Sequence, residues 1–303
     1  MRFKGLDLNL LVALDILLEE LSVSRAAERM HISQPAMSAA LGRLRAYFDD
    51  PLLVADGKRM IPTPQALRLK GRIRALLGDV DAMVAATGEF NPTRSNRRFR
   101  IGASDFLTLV LFADTLQRLA RTAPNITFDF FPPSDTITQM LTQGELDMLL
   151  VPEEHVLHDH PTQLLFEERH VVAGWSGNPV FERGMSEAEF AAGGHVAVQI
   201  GIQFRASFAE SQLSKVGLNR RIAVTASTFS VVPELLVNTD RLAVMHERLA
   251  ARAATHLPIA YAPMPFDFPI MREMVQIHRT RTTDPGIHWL IGELKATMGG
   301  SSI

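Results

Sequence analysis

The sequence predicts an α-helical N-terminal domain with a β-hairpin, then a long helix, then a larger α/β domain. Three observations support this division. Three short helical patterns extend from the start of the chain to Phe48, and Thr63-Pro64 opens a helix with regularly spaced apolar residues. From Phe99 onward, short apolar strands alternate with helices. A chain of 303 residues has room for more than one hydrophobic core.

The composition indicates a packed globular protein, because 47% of the residues are hydrophobic. No apolar run reaches the roughly 18–20 residues that span a bilayer. The acidic residue Asp7 precedes the first apolar stretch, which is unlike a secretory leader. The absence of cysteine excludes disulfides, a thiolate nucleophile and a cysteine-built zinc site. We therefore expect a cytoplasmic protein with no membrane partner.

The net charge of −2 hides a gradient along the chain. In the N-terminal basic segment, residues 21–75, ten basic residues face four acidic ones, a local excess of six positive charges. A basic patch on one small domain is typical of phosphate binding. Charge-rich stretches are more often solvated faces, so this excess supports a nucleic-acid partner only together with a motif.

The N-terminal helices have the spacing of a helix-turn-helix. The first helix begins after Asp7 as N-cap, the second begins at Ser22 or Ser24, and Ser33 caps the third. Pro35 fits the first turn of the third helix, where its missing N–H has no intrahelical partner. The core face of that helix consists of Met37, Leu41, Leu44 and Phe48.

The other side of the third helix carries short polar groups first and arginines later, which suits major-groove entry. Gln34 can bind adenine, Ser38 a base edge or phosphate, and Arg43 and Arg45 guanine or phosphate. Gly42 allows close approach to a duplex. The predicted DNA-contacting residues are Ser24, Ser33, Gln34, Pro35, Ser38, Gly42, Arg43, Arg45, Lys58 and Arg59. The alternative is a helical hairpin that touches no nucleic acid, in which Ser33 is only a cap and the arginines are solubilising.

A hairpin and a long helix follow the three short helices. Asp56-Gly57 between apolar residues predicts a tight β-turn, that is, a wing. In the long helix, heptad spacing predicts pairing with a second chain, since no large domain precedes it. The alternative is one amphipathic helix packed on its own domain. Thr87–Arg98 looks like a hinge. The heptad positions are Ala66, Leu69, Ile73, Leu76, Val80 and Met83.

Beyond the hinge, the alternation of strands and helices predicts parallel sheets covered by helices on both faces, in one large sheet or two small ones. The predicted strands are Phe99–Ala103, Ile126–Phe131, Leu146–Val151, His170–Gly174, Val196–Val198, Ile222–Val224, Leu242–Met245 and Met274–His278. The predicted helices are Leu107–Thr122, Ile137–Gln143, Ala206–Lys215, Val231–Val237 and Ile287–Met298.

Several motifs in register resemble the LysR-type transcriptional regulators over about the first 85 residues. They are Leu8-Asn9-Leu10-Leu11, Ser24-Arg25-Ala26-Ala27, Ser33-Gln34-Pro35-Ala36-Met37-Ser38, Leu41-Gly42-Arg43-Leu44-Arg45 and Thr63-Pro64. The first 15 residues resemble the branch that holds the nodulation regulators and the salicylate-responsive regulator of naphthalene degradation. Many relatives carry an arginine within the wing, where this chain has Val54-Ala55-Asp56, so minor-groove contact by the wing does not follow from the resemblance.

The resemblance implies a winged helix-turn-helix domain at 1–63, a linker and dimerisation helix at 64–90, and an effector-binding domain at 91–303. It implies that the last is a periplasmic-binding-protein-like module with lobe I at about 91–165 and 267–303 and lobe II at about 166–266. The implied partners are double-stranded promoter DNA, RNA polymerase, a small inducer and further copies of the chain, as a homodimer or homotetramer.

Ligands of such α/β folds bind at the carboxyl ends of strands, near helix N-termini. From the sequence this rule selects Ser104, Asp105, Phe106, Gln199, Ile200 and Phe229. Resemblance to the salicylate-type regulators adds His170, Arg205 and Arg248. Such a cleft suits a flat aromatic with a polar rim, from the phenols, chlorophenols, hydroquinones, salicylates or flavonoids. The alternatives are that His170 is a core residue and that Arg248 pairs with an acid.

We predict no enzymatic activity and no cofactor. The sequence has no G-x-S-x-G elbow, no G-x-G-x-x-G and no P-loop. The acid–histidine cluster at 153–160 is interpreted as a surface loop rather than a metal site. The remaining alternatives are a small-molecule binding protein dimerised by its N-terminal helices, an enzyme that uses the α/β half, and a repressor rather than an activator.

Overall fold

The computed structural model describes residues 6–56, 59–85, 90–201, 203, 205–218 and 220–300. They form two compact units. The first comprises the described residues of 6–85 together with Thr142–Glu145, and the second comprises Phe90–Leu141 and the chain from Leu146 onward. Within these described ranges, no helix combines the length and apolar content that crossing a bilayer requires.

The first unit contains four helices and a hairpin: α1 (Leu8–Glu20), α2 (Val23–Arg29), α3 (Gln34–Phe48), β1 (Leu53–Asp56), β2 (Arg59–Pro62) and α4 (Pro64–Ala85). The predicted caps are confirmed for two helices, since the Asp7 carboxylate accepts the Leu10 N–H at 2.8 Å and Ser33 caps α3. Ser22, and not Ser24, caps α2. Ser24 is therefore an exposed residue inside the first turn.

The hairpin forms as predicted in its strands. β1 and β2 pair antiparallel, with Leu53 opposite Pro62 and Asp56 opposite Arg59. The turn residues Gly57 and Lys58 lie outside the described residues. The exposed residues of β1 are Val54, Ala55 and Asp56, so this strand presents no cation.

Helix α4 packs on the core of its own unit, which corrects part of the coiled-coil prediction. Ala66 and Ile73 of the predicted seam are 0% and 5% exposed and join the buried face of α1. This packing agrees with the alternative that the sequence left open, in which the helix packs on its own domain. Leu67 and Leu76 are 55% and 46% exposed. These two side chains remain available to a second chain.

The predicted hinge at 87–98 overlaps the second unit. Thr87 and its two successors lie outside the described residues, but the chain from Phe90 is fixed to the second unit. The Phe90 ring lies 5.1 Å from the Trp289 ring, centroid to centroid. The Arg97 guanidinium pairs with Asp284 at 2.6 Å. Residues 90–97 are therefore part of the second unit.

The second unit contains strands in two sheets. The strands are β3 (Arg98–Gly102), β4 (Thr127–Phe131), β5 (Met148–Pro152), β6 (Thr162–Glu168), β7 (His170–Trp175), β8 (Gly194–Ile200), β9 (Arg205–Ala206), β10 (Arg221–Ala226), β11 (Leu242–His246), β12 (Ile259–Pro263) and β13 (Met271–Ile277). The sequence did not predict β6, β9 and β12.

Helices cover both sheets. They are α5 (Asp105–Leu107), which continues through a π-helical turn (Thr108–Phe112) into α6 (Ala113–Thr122), then α7 (Ile137–Thr142), α8 (Val180–Arg183), α9 (Glu187–Ala192), α10 (Phe208–Val216), α11 (Val232–Leu236), α12 (Glu247–Ala254) and α13 (Pro285–Gly300). The predicted helix 107–122 is thus present, with a π turn in its first half.

The two sheets are mixed, which corrects the prediction of parallel sheets. Lobe I has the order β4-β3-β5-β13-β6, in which β13 runs antiparallel to both neighbours. Lobe II has the order β10-β8-β11-β7-β12, in which β7 runs antiparallel to β11 and β12. Strand β7 follows the crossover from lobe I, and strand β13 follows the crossover from lobe II. Each of these two strands runs antiparallel to its neighbours in the sheet that it joins.

The crossovers define the lobes. The chain leaves lobe I between Glu168 and His170 and returns between Pro263 and Met271. The first predicted boundary, after residue 165, falls inside β6. The second, at 266/267, falls within the return crossover. The crossovers therefore place β7 and its His170 at the base of the space between the lobes.

Candidate DNA-contacting surface and ligand cleft

Helix α3 turns one face to the core and leaves the other free. Its exposed residues include Gln34, Pro35, Ser38, Gly42 and Arg43. At about 3.6 residues per turn, Gln34, Ser38 and Gly42 follow one side of the exposed surface. Arg43, about two and a half turns beyond Gln34, lies on the other flank. The predicted polar face is therefore present, with Arg43 separated from Gln34.

Packing within the described chain does not require a glycine at position 42. A Cβ added there would meet no atom within 4 Å. Glycine inside a helix costs roughly 1 kcal/mol relative to alanine. A glycine that is exposed, costly and uncrowded fits the prediction that another surface approaches α3 closely at this position.

Arg45 is engaged by the wing. Its Nε donates to the carbonyl of Pro51 at 2.8 Å, and Nη2 donates to the carbonyl of Leu53 at 2.7 Å. These bonds fix the end of α3 to the start of β1. Two of its nitrogens are thus used within the domain, which weakens the prediction of base contact by Arg45 and gives it a positioning role.

Part of the positive charge in the N-terminal basic segment is neutralised by acids of α1. Arg29 Nη1 lies 2.6 Å from a Glu19 carboxylate oxygen, and Arg74 also pairs with Glu19. Arg25 Nε lies 3.5 Å from Glu20. These acids precede residue 21, so the local count of charges overstated the excess. The exposed cations of the segment include Arg43, Arg68 and Arg72.

The wing cations cannot be placed in the same detail. Lys58 lies outside the described residues, and for Arg59 the structure describes the backbone, which pairs with Asp56. Their predicted contacts with DNA stay predictions.

A cleft between the two lobes contains a cavity of about 190 Å³. Six predicted ligand residues line it, namely Ser104, Phe106, His170, Ile200, Arg205 and Phe229. The strand-end rule selected Ser104, Phe106, Ile200 and Phe229, which lie at or after the ends of β3, β8 and β10. The resemblance added His170 and Arg205, which begin β7 and β9. Lining residues that the sequence did not indicate include His155, Phe208, Glu210, His246 and Glu273.

Three predicted residues do not line the cavity. Gln199 lies in β8, where it is paired with Ala206. The Asp105 carboxylate accepts the backbone N–H of Phe229 at 3.2 Å and of Ser230 at 2.6 Å, which joins lobe I to lobe II. Asp105 therefore acts on the cleft through the loop that carries Phe229. The third residue is Arg248.

Arg248 follows the alternative interpretation, pairing with an acid. Its guanidinium forms an ion pair with the buried carboxylate of Glu168 and donates to the Glu167 carbonyl at 2.9 Å. The same guanidinium lies 5.1 Å from the Phe166 ring centroid. These contacts explain why Arg248 is turned away from the cavity.

Aromatic rings form the deep wall of the cleft. The rings of Phe106 and His246 are stacked, with centroids 3.7 Å apart and planes inclined by 7°. The His246 ring lies 4.8 Å from both His170 and Phe229, and His170 lies 5.4 Å from Phe208. Such a wall suits a flat ligand, because aromatic rings stack or meet edge to face.

Polar atoms are buried in this aromatic wall. Nδ1 of His170, Nδ1 of His246 and Oε1 of Glu273 have no hydrogen-bond partner among the described residues. The three side chains are 7%, 4% and 2% exposed. Buried polar groups are usually hydrogen-bonded, and leaving them unpaired is costly. Their position around a cavity makes them candidate ligand contacts.

Burial in the deep part of the cleft favours the neutral forms of its ionisable side chains. Burial lowers the pKa of His170 to about 3 and holds the pKa of His246 well below its usual range, so both imidazoles are neutral. Burial, with the nearby charge of Glu168, raises the pKa of Glu273 well above its usual range. This shift favours the protonated carboxylic acid form of Glu273.

Arg205, the arginine among the described residues that line the cavity, lies at the mouth of the cleft. Arg205 is half exposed, with Nε 3.3 Å from Asp135 and Nη2 donating to the Ser134 carbonyl at 2.8 Å. These contacts cross from lobe II to lobe I. The charge of Arg205 is thus compensated at the entrance and does not reach the deep wall.

The acid–histidine cluster at 153–160 contributes one side chain to the lining of the cleft. Glu153–His155 forms a 3-10 turn, and His155 lines the cavity. Within the part of the chain that the structure describes, no group of three or more acidic or histidine side chains has the arrangement of a metal site.

Both units match known family models. Residues 8–67 match the bacterial regulatory helix-turn-helix proteins of the lysR family. Residues 93–299 match the LysR substrate binding domain. The chain belongs to the LysR family of transcriptional regulators. LysR regulators bind promoter DNA and small-molecule inducers and form oligomers. The family and the fold that the sequence predicted are confirmed.

Relatives cover almost the whole chain. Nodulation protein D 2 of Bradyrhizobium elkanii is 40% identical over 290 residues, which are 96% of this chain and 88% of the relative. Nodulation protein D 1 of Rhizobium tropici is 40% identical over 294 residues, 97% of this chain and 96% of the relative. The resemblance to the nodulation regulators thus extends beyond the DNA-binding domain of this LysR regulator.

Solved LysR structures share the fold. A probable transcriptional regulator from Pseudomonas aeruginosa is 28% identical, with a TM-score of 0.78 over 96% of this chain and 97% of that one. Full-length CbnR in complex with its target DNA is 16% identical, with a TM-score of 0.61 over 96% of this chain and 100% of that one. At that identity the second likeness shows the fold alone.

Proposed function

We propose that this LysR regulator is a cytoplasmic, non-enzymatic activator of transcription that responds to a small aromatic inducer bound between the two effector lobes. The observation that carries the proposal is the cleft itself, where stacked aromatic rings surround buried polar atoms that have no partner among the described residues. Pockets of this kind, apolar with a few convergent polar groups, are typical of small-ligand sites.

The inducer acts by shifting a conformational equilibrium. It can do so only by its difference in affinity for the two states of the lobes. The bonds from Asp105 to the loop of Phe229 and from Arg205 to Ser134 cross between the lobes and depend on their separation. We propose that the change alters the geometry of a homodimer or homotetramer on promoter DNA and its contact with RNA polymerase.

For the DNA contact we propose that Gln34 and Ser38 read base edges and that Arg43 binds a guanine or a phosphate. Ser24, Ser33 and Pro35 approach the backbone near the starts of their helices, and Gly42 permits the approach. Arg45 supports the wing, whose Lys58 and Arg59 contact phosphates. The exposed side of α3 supports this assignment.

A gel shift with the DNA upstream of the gene tests the recognition helix. One base contact is worth about 1–3 kcal/mol, so Gln34→Ala and Arg43→Ala should each weaken specific retention about tenfold or more. The matched controls are Gln212→Ala, at a half-buried position of the effector unit, and Arg183→Ala, at an exposed one. Unchanged retention in both N-terminal variants would defeat the assignment of α3.

Thermal-shift screening of the purified protein against phenols, chlorophenols, hydroquinones, salicylates and flavonoids tests the inducer class. Stabilisation by at least one of them is expected, because a ligand that binds only the folded state raises its stability. In vitro transcription with that compound should give more product. Less product would indicate a repressor, and no stabilisation by any class would reject the aromatic inducer.

A further inference from the structure

Glu273 is a buried acid on β13 that faces the cavity. Its side chain is 2% exposed and lines the cleft. In the sheet it lies opposite Pro152 of β5 and Phe166 of β6. Its Oε1 has no hydrogen-bond partner among the described residues. Because an unpaired buried carboxyl is costly, this position needs a partner that enters the cavity.

The charged and titratable groups around Glu273 do not supply that partner. Glu168 of β6 is 1% exposed and binds Arg248 of α12, so this nearby cation is already used. His170 of β7 and His246 of β11 are neutral. The groups toward the mouth are His155 of the 3-10 turn, Arg205 of β9 and Glu210 of α10.

We propose that Glu273 anchors the inducer: as a neutral carboxylic acid it exchanges hydrogen bonds with a hydroxyl group of an uncharged aromatic ligand. This inference rests on the proposed function, since it names the chemistry of the same cleft. Burial and the charge of Glu168, which raise the pKa of Glu273, agree with the geometry.

The two histidines give the ligand further points of attachment. A neutral imidazole nitrogen either donates or accepts a hydrogen bond, according to its tautomer. Nδ1 of His170 and Nδ1 of His246 are both buried without a partner in the described chain, and the ring centroids are 4.8 Å apart. An aromatic with more than one hydroxyl group can engage Glu273 and one of these atoms together.

The same arrangement disfavours carboxylate ligands. A buried carboxylate needs a paired charge or several hydrogen-bond donors to offset its desolvation. Arg205 is the arginine among the described residues that line the cavity, and it is paired with Asp135 at the mouth of the cleft. The cleft therefore selects phenolic hydroxyl groups over carboxylates on a ring of the same size.

Isothermal titration calorimetry of the full-length protein at pH 7 tests the anchor with hydroquinone, its dimethyl ether and benzoate. The wild type should bind hydroquinone about tenfold more tightly than the other two, since one hydrogen bond to a buried group is worth about a factor of ten. Glu273→Gln, which keeps a donor and an acceptor, should stay within about threefold. Glu273→Leu should weaken hydroquinone binding about tenfold and leave the dimethyl ether unchanged.

A second readout separates a ligand anchor from a structural residue. Because Glu273→Leu removes an unpaired buried carboxyl, the variant should have a higher Tm than the wild type without ligand. Its retention of upstream DNA in a gel shift should be unchanged.

Three results would overturn the anchoring role: equal weakening of hydroquinone and its ether by Glu273→Leu, a lowered Tm, or benzoate bound by the wild type as tightly as hydroquinone. If no aromatic compound of the thermal-shift screen binds the wild type, the proposed inducer class fails, and the anchor with it. Tight binding that Glu273→Leu leaves intact rejects the anchor alone.

Discussion

Single side chains in the cleft make the fold sensitive to acid. His170 and His246 are buried as neutral imidazoles, and burial lowers the pKa of His170 to about 3. An unfolded chain takes up a proton on histidine below about pH 6.5, and the folded chain resists it. Stability from these residues is therefore present above pH 6.5 and is lost as the pH falls.

We expect the effector unit to lose about 2 kcal/mol of unfolding free energy from His170 alone between pH 7 and pH 5. Urea denaturation at both pH values measures the loss. In the variant His170→Asn the side chain at this position does not titrate in this range. The loss of unfolding free energy between the two pH values should therefore be smaller by that amount. An equal loss in both proteins would mean that His170 titrates normally in the folded state.

Arg248 offers a second prediction at this scale. It compensates the buried Glu168 carboxylate, so Arg248→Ala should cost about 3 kcal/mol of unfolding free energy by leaving that charge unpaired. Urea denaturation measures the cost, and Arg252→Ala on the same helix is the control. A variant of normal stability with weakened inducer binding would restore Arg248 to the ligand site.

Two cleft residues that the sequence prediction missed did leave signals. Glu273 interrupts an apolar strand at a position two residues from the buried Met271, so strand alternation turns it inward. His246 directly follows the predicted strand 242–245, and the strand-end rule that selected Gln199 applies to it equally. Burial of their polar atoms without partners depends on packing between two lobes, which no local pattern reveals.

Among the elements, α3 combines a destabilising glycine with the surface that we propose to contact DNA. Gly42 lies exposed in the helix, and a methyl group on its Cα would have no other atom within 4 Å. We expect Gly42→Ala to raise the unfolding free energy of the N-terminal unit by roughly 0.5–1 kcal/mol through helix propensity. The same variant should bind upstream DNA more weakly, because the added methyl group lies on the approached surface.

Thermal denaturation and a gel shift on the same preparation measure both effects of Gly42→Ala. Gly292→Ala, at an uncrowded glycine of α13, is the matched control and should leave DNA binding unchanged. If Gly42→Ala strengthens or preserves DNA binding, no surface comes close to α3 at this residue.

The elements also show where periodic patterns were sufficient. Caps at Asp7 and Ser33 were predicted correctly because their side-chain bonds are local. The heptad spacing of α4 identified its apolar face but not the surface that covers it, and Ala66 and Ile73 pack on α1. Strand β6 escaped prediction because its residues are only partly apolar, and its pairing with β13 is a contact between distant parts of the chain.

At the scale of the whole molecule, the two strands that follow the crossovers, β7 and β13, determine two features. They determine the mixed topology of the sheets and which side chains meet in the cavity. These strands run against their neighbours, so the sheets are mixed although the sequence alternates like a parallel α/β protein. The same crossovers bring His170 and Glu273, about a hundred residues apart, to one cavity. Sequence reasoning could predict two lobes and the cleft between them, but not which inward residues meet there.

The contact between Asp105 and the loop of Phe229 couples the lobes. Asp105→Ala removes the acceptor for two backbone N–H groups across the cleft. We expect this variant to bind the inducer about tenfold more weakly, since the net worth of one hydrogen bond to a charged group is about 1.5–3 kcal/mol. Calorimetry measures the change, and Asp114→Ala is the control. Unaltered affinity would uncouple the contact from ligand binding.

The Asp105 bonds across the cleft also bear on the proposed function in the absence of an inducer. We expect these bonds to favour the closed lobes, and if closed lobes are the activating state of the proposed function, some transcription would continue at rest. Strengthening the bonds should then narrow the ratio between induced and resting transcription, and weakening them should lower the resting level at the expense of sensitivity. This carboxylate is thus the position at which a reporter strain could be tuned for low leakage.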